Sequence, residues 1–69
     1  MALRTRVLKY LGKKPSNFLT LSRNLDVEMN ELANELNNLL NAGYVTKTND
    51  IFYLTKRGRE YLKVEEPST

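Results

Sequence analysis

The chain has 69 residues, enough for one domain and no more. It contains no cysteine and no histidine, which removes disulfides, thiolate-bound zinc, the commonest general base and the commonest metal ligand. The formal net charge is +3, but bases crowd the two ends (Arg4, Arg6, Lys9, Lys13 and Lys14; Lys47, Lys56, Arg57, Arg59 and Lys63) while Asp26, Glu28, Glu31 and Glu35 make the middle acidic.

A domain of this size buries only about 60% of the surface that its unfolded chain exposes, so apolar packing has little margin. No apolar run approaches the roughly 20 residues that cross a bilayer. The basic stretch 1–14 is not followed by the apolar segment of a signal peptide. The expectation is a soluble, cytoplasmic chain without membrane contact.

The first helix is expected from about Ala2 to Gly12, with Leu3, Val7, Leu8 and Leu11 on one face. Gly12 stands where a C-terminal cap is expected, and Pro15 prevents continuation. Ser16 and Asn17 are good N-cap residues for a second helix, about Phe18 to Asn24, whose apolar stripe is Phe18, Leu21 and Leu25. Asp26 tolerates the left-handed conformation and marks a tight turn. A third helix follows, from about Glu28 to Ala42, with Leu32, Leu36, Leu39 and Leu40 inward, and Gly43 is its stop signal.

Tyr44 to Lys47 and Ile51 to Leu54 are β-prone runs joined by Thr48, Asn49 and Asp50, the pattern of a hairpin. Thr55 then caps a fourth helix, Lys56 to about Lys63, with Tyr61 and Leu62 inward. Gly58 inside that helix costs roughly 1 kcal/mol relative to Ala. Either a close approach to the hairpin or first helix, or mere tolerance, explains it.

Two local patterns carry a resemblance. The first is Leu21-Ser22-x-x-Leu25-Asp26-Val27 followed by Leu32-x-x-x-Leu36-x-x-Leu39-x-x-x-Gly43-Tyr44-Val45; the second is Leu54-Thr55-x-x-Gly58-x-x-x-Leu62. In this order and spacing they resemble the winged helix-turn-helix superfamily, in particular MarR-like and PadR-like small regulators. The resemblance implies a mostly α fold with a small β-hairpin, in the order helix-helix-turn-helix-wing-helix. It would occupy residues 1–63, with 64–69 as a disordered polar tail. Two positions depart from the family: Asp26 stands where the turn often has Gly, and the third helix exposes Asn30, Glu31, Asn34, Asn37, Asn38 and Asn41 instead of basic or hydroxyl residues.

In that fold the third helix enters the major groove of DNA. Asn can bond adenine N6 and N7 together, so Asn30, Asn34 and Asn37 are the base-contacting candidates. The plainer reading is that they form only a solvated helix face. Phosphate contacts are expected from Asn17, Thr20 and Arg23 on the second helix, Lys47 and Asn49 on the wing, and Lys56, Arg57 and Arg59 behind it. Glu28 and Glu31 suit the positive end of the third helix's dipole, and Glu35 is expected to pair with a base of the first or fourth helix.

The resemblance thus implies a DNA-binding transcriptional regulator, with a homodimer built on the first and last helices. Tyr10, Tyr53 and Tyr61 are candidates for that contact, or they complete the core. The alternative is a winged-helix protein-interaction module whose acidic third helix meets a basic partner. No nucleophile–base pair, glycine-rich phosphate loop or metal-ligand cluster marks an enzyme, and no cofactor is expected.

Overall fold

The computed structural model describes residues 2–65, which form four helices and one antiparallel hairpin, the hairpin packed mainly on the first and third helices and exposed over much of its first strand. The elements run α1 (Leu3–Lys13), α2 (Phe18–Leu25), α3 (Met29–Ala42), β1 (Val45–Thr48), β2 (Ile51–Leu54) and α4 (Lys56–Glu65). No helix among the described residues is long and apolar enough to cross a membrane.

Each helix is set by its apolar spacing and by its ends. On α1, Val7, Leu8 and Leu11 are buried, and the helix packs against α4 and β2 while touching α2 and α3. It runs past the expected cap at Gly12 to Lys13. Helix at Lys14 is disfavoured by Pro15, and Lys14 adopts φ −154°, ψ 111°. Gly12 answers to packing instead: a Cβ there would lie 3.2 Å from Leu54 Cδ2.

Asn17 caps α2, its Oδ1 accepting from the Thr20 N–H at 2.8 Å. Asp26 ends α2 in the left-handed region (φ 52°, ψ 55°), which turns the chain into α3. Ser22 latches that turn: its hydroxyl donates to the Val27 carbonyl, and the Val27 N–H donates to the Ser22 carbonyl. The guanidinium of Arg6 donates to the Leu25 carbonyl, holding the negative end of α2 against α1.

Leu32, Leu36 and Leu39 carry the buried face of α3. Gly43 (φ 80°) ends it and sends the chain into β1, with Val45 paired to Leu54 and Lys47 to Phe52. Thr48 belongs to β1, so the hairpin tip is Asn49 and Asp50, and Asn49 takes a positive φ of 55°. Thr55 then joins α4 to the end of α3. Its hydroxyl donates to the Gly43 carbonyl at 2.7 Å and accepts from the Gly58 N–H at 3.0 Å.

Gly58 is a close approach to the hairpin. A Cβ there would fall inside van der Waals contact of the Tyr44 carbonyl oxygen, and 2.5 Å from Leu54 Cδ1. Helix α4 continues to Glu65, two residues beyond the expected end at Lys63, so Val64 and Glu65 are helical and not part of a tail. The rest of the expected tail, 66–69, lies outside the described residues.

One pairing had no counterpart in the sequence reading. Ser16 forms an isolated antiparallel bridge with Phe52: the Phe52 N–H donates to the Ser16 carbonyl at 2.9 Å, and the Ser16 N–H returns at 3.3 Å. The α1–α2 connection is thereby fastened to β2, on the side away from β1. This brings the start of α2 beside the hairpin.

Candidate nucleic-acid interface

The start of α2, the middle of α3 and the hairpin border a single groove of about 370 Å³. Its floor is apolar, with Phe18, Leu36 and Phe52, and its rim carries Asn17, Asn37, Lys47 and Asp50. The cross-strand register explains why Lys47 faces it. Lys47 pairs with Phe52, so both side chains leave the same face of the ribbon, and the Lys47 ammonium stands 5.5 Å from the Phe52 ring centroid.

Next to this groove lies the outer face of α3. At 3.6 residues per turn, Asn30, Asn34, Asn37 and Asn41 fall within about 60° of one another, opposite the leucine face. All four are exposed. Their side-chain amides make no hydrogen bond within the described residues. The chain's other asparagines outside α3 each have a local role. Asn17 caps α2, Asn24 donates to the Tyr10 hydroxyl, and Asn49 takes the positive φ at the hairpin tip.

Five asparagines in a helix of 14 residues are a poor choice for helix stability alone. Each is roughly 0.6 kcal/mol worse than Ala in a helix interior, so together they cost about 3 kcal/mol in a small domain. Solvation requires polar residues on this face, but Lys, Gln or Glu would supply them at less cost.

Two of the four carboxylates of the acidic middle segment, Glu28 and Glu35, are engaged within the fold. Glu28 is the N-cap of α3, its carboxylate accepting from the backbone N–H groups of Asn30 (3.0 Å) and Glu31 (3.2 Å). Glu35 faces α1, where its Oε2 accepts from Arg4 Nε at 2.7 Å. That bond holds the Arg4 guanidinium charged even beyond its ordinary range. The expected partner of Glu35 on the first or fourth helix is thus on the first. Glu31 remains exposed in the first turn, on the flank of the stripe, about 60° round the helix from Asn34. The asparagine stripe therefore has no carboxylate within it.

The expected phosphate-contacting residues fall into two groups. Asn17 and Lys47 border the groove with Asn37, Asn49 stands at the hairpin tip next to Asp50, and Thr20 lies one turn further along α2. Arg23 lies near the other end of α2 and is exposed. Lys56, Arg57 and Arg59 are exposed at the base of the hairpin, not at its tip. The Arg57 guanidinium stands 5.5 Å from the Tyr44 ring centroid, and Tyr44 lies three residues, about 10 Å, from Lys47 along the ribbon. Lys47 and Arg57 thus belong to separate patches.

No protein-family model matches this chain, and no curated protein or solved structure matches it either.

Asn41 and Asp50 went unselected in the sequence reading. Asn41 shares the spacing of Asn30, Asn34 and Asn37, and periodicity alone would have found it. Asp50 reaches the groove only because Ser16 fastens α2 to the hairpin, which no local pattern announces. The tyrosines are divided. Tyr61 packs on Tyr44 with ring centroids 4.9 Å apart, and Tyr10 is half-buried against the core, whereas Tyr53 is exposed.

Proposed function

We propose that this chain is a winged helix-turn-helix protein that binds double-stranded DNA and acts as a small transcriptional regulator. The observation that carries the reading is the stripe of unpaired side-chain amides on α3, bordered across one groove by Asn17 and Lys47. In this reading α3 lies in the major groove, and Asn30, Asn34 and Asn37 meet base edges. Asn17 and Thr20 at the start of α2, with Lys47 and Asn49 on the wing, approach phosphates on either side. Arg23, Lys56, Arg57 and Arg59 extend the contact along the backbone. The left-handed turn at Asp26 and the tie between Thr55 and Gly43 support this assignment, because they fix the angle of α3 and the position of the wing beside it.

A second reading is a protein-interaction module. Leu19 and Met29, each half exposed, favour it, because apolar side chains of that size on a contact face suit a protein partner. Titration of a mixed-sequence duplex across a salt series separates the two. Several phosphate contacts make log affinity fall linearly with log salt, by about 0.9 per phosphate. Absence of duplex binding even at low salt would leave the protein-interaction reading in its place.

A further inference from the structure

We infer that α3 reads adenine, so that the target of this chain is a duplex segment whose sequence preference is carried by A·T pairs. The inference rests on the DNA-binding reading above and adds the chemical class of the sequence recognised.

The donor and acceptor inventory of α3 decides it. From Met29 to Ala42 the helix has no Arg, Lys or His, so the side chains that most often bond guanine O6 and N7 together are missing. Beyond α3, Lys47 borders the groove, 5.5 Å from the Phe52 ring centroid, and is assigned to phosphate, while Arg57 stands over Tyr44 in a separate patch. Cytosine N4 is read by a carboxylate; Glu28 and Glu35 are bonded within the fold, and the exposed Glu31 lies outside the stripe, about 60° round the helix from Asn34. The exposed stripe offers only primary amides.

An asparagine amide has one donor group and one acceptor side by side. Adenine presents the complementary pair in the major groove, the N6 amino donor beside the N7 acceptor. Guanine presents two acceptors there, so the amide oxygen of Asn would face an acceptor. The stripe also has the right length. From Asn30 to Asn37 the helix rises about 10 Å, close to three base-pair steps of about 3.4 Å.

The test is selection of bound duplexes from a randomised library with the full chain, followed by replacement of individual selected adenines with 7-deazaadenine. That base keeps its pairing and its N6 amino group but lacks the N7 acceptor. The expected result is enrichment of A·T pairs over three or four contiguous positions. At least one adenine there should lose about fivefold or more in affinity on deaza substitution. Asn34→Ala should abolish the sensitivity at one position, and because Asn34 is exposed the variant remains folded. Enrichment of guanine, no enrichment, or A·T enrichment indifferent to 7-deazaadenine would overturn adenine readout and leave DNA binding standing. No binding to any duplex at low salt would overturn both.

Discussion

Arg4 Nε stands 2.7 Å from Glu35 Oε2, joining the first turn of α1 to the flank of α3. Glu35 is mostly shielded and Arg4 about one-third exposed, so the pair lies at the edge of the fold and not inside it. Its consequence is electrostatic. The carboxylate in the middle of α3 faces a guanidinium from the neighbouring helix, so that Glu31, at the flank of the asparagine stripe, is the exposed carboxylate left on α3.

Arg4→Ala should therefore have a small effect on folding and a larger one on DNA. Partly exposed ion pairs contribute about 0.2–1 kcal/mol, and urea denaturation should report a loss in that range. The uncompensated Glu35 carboxylate would repel phosphate, so duplex affinity at low salt should fall severalfold. Adding Glu35→Gln to Arg4→Ala should restore most of it. Equal affinities for the single and double variants would show that the Glu35 charge is not felt at the interface.

Gly58→Ala sets two effects against each other. Ala is favoured over Gly by about 1 kcal/mol in a helix interior, so a free helix would gain. Here the added Cβ meets the Tyr44 carbonyl oxygen and Leu54 Cδ1. Backbone cannot yield as a flexible side chain does, and forced overlap in a packed interior costs about 1–3 kcal/mol or more. The overlap should win, with thermal denaturation showing a midpoint several degrees lower. A raised midpoint would mean that α4 slides away from the hairpin without cost.

The two glycines α4 depends on show how far local pattern reaches. Gly43 was legible because helix ends favour glycine in the left-handed region, and its φ of 80° is the local reason for it. Gly58 was legible as an anomaly open to two explanations, a close approach to the hairpin or first helix, or tolerance, because helix periodicity does not say which element lies against it; it is the hairpin. The same division holds for the candidate site. The stripe Asn30, Asn34 and Asn37 follows from 3.6-residue spacing alone. The groove beside it depends on the bridge between Ser16 and Phe52, a contact between distant segments that leaves no mark in either. Gly12 misled for the complementary reason: a glycine near a helix end reads as a cap, but it is the Leu54 side chain that lies against it.

If the asparagines of α3 are present for recognition, replacing them should raise stability. Asn34→Ala, Asn37→Ala and Asn38→Ala should each stabilise by about 0.5 kcal/mol through helix propensity. In a domain of this size that corresponds to a midpoint higher by about 2–4 °C. Asn34→Ala and Asn37→Ala should lower duplex affinity more than Asn38→Ala, because Asn38 lies about 70° round the helix from the centre of the stripe, on its flank beside Asn34. Equal changes in affinity for all three variants would reduce the stripe to a solvated helix surface.

Lys47 and Arg57 form a matched pair for testing which end of the hairpin meets DNA. Each cation stands 5.5 Å from an aromatic centroid, Lys47 over Phe52 and Arg57 over Tyr44. Substitution by Ala should remove a similar contribution in each case, about 0.5–1 kcal/mol at exposed sites. Differences in stability therefore cannot account for differences in binding between the two variants. Lys47 borders the groove with Asn37 and Asn17, so Lys47→Ala should weaken binding to all duplex sequences alike. It should also reduce the slope of log affinity against log salt by about 0.9, the loss of one phosphate contact. Arg57 lies at the base of the ribbon, and Arg57→Ala should change the slope less. The reverse order, with Arg57→Ala taking the larger change, would move the contact surface to the Tyr44 end of the hairpin and away from the asparagine stripe.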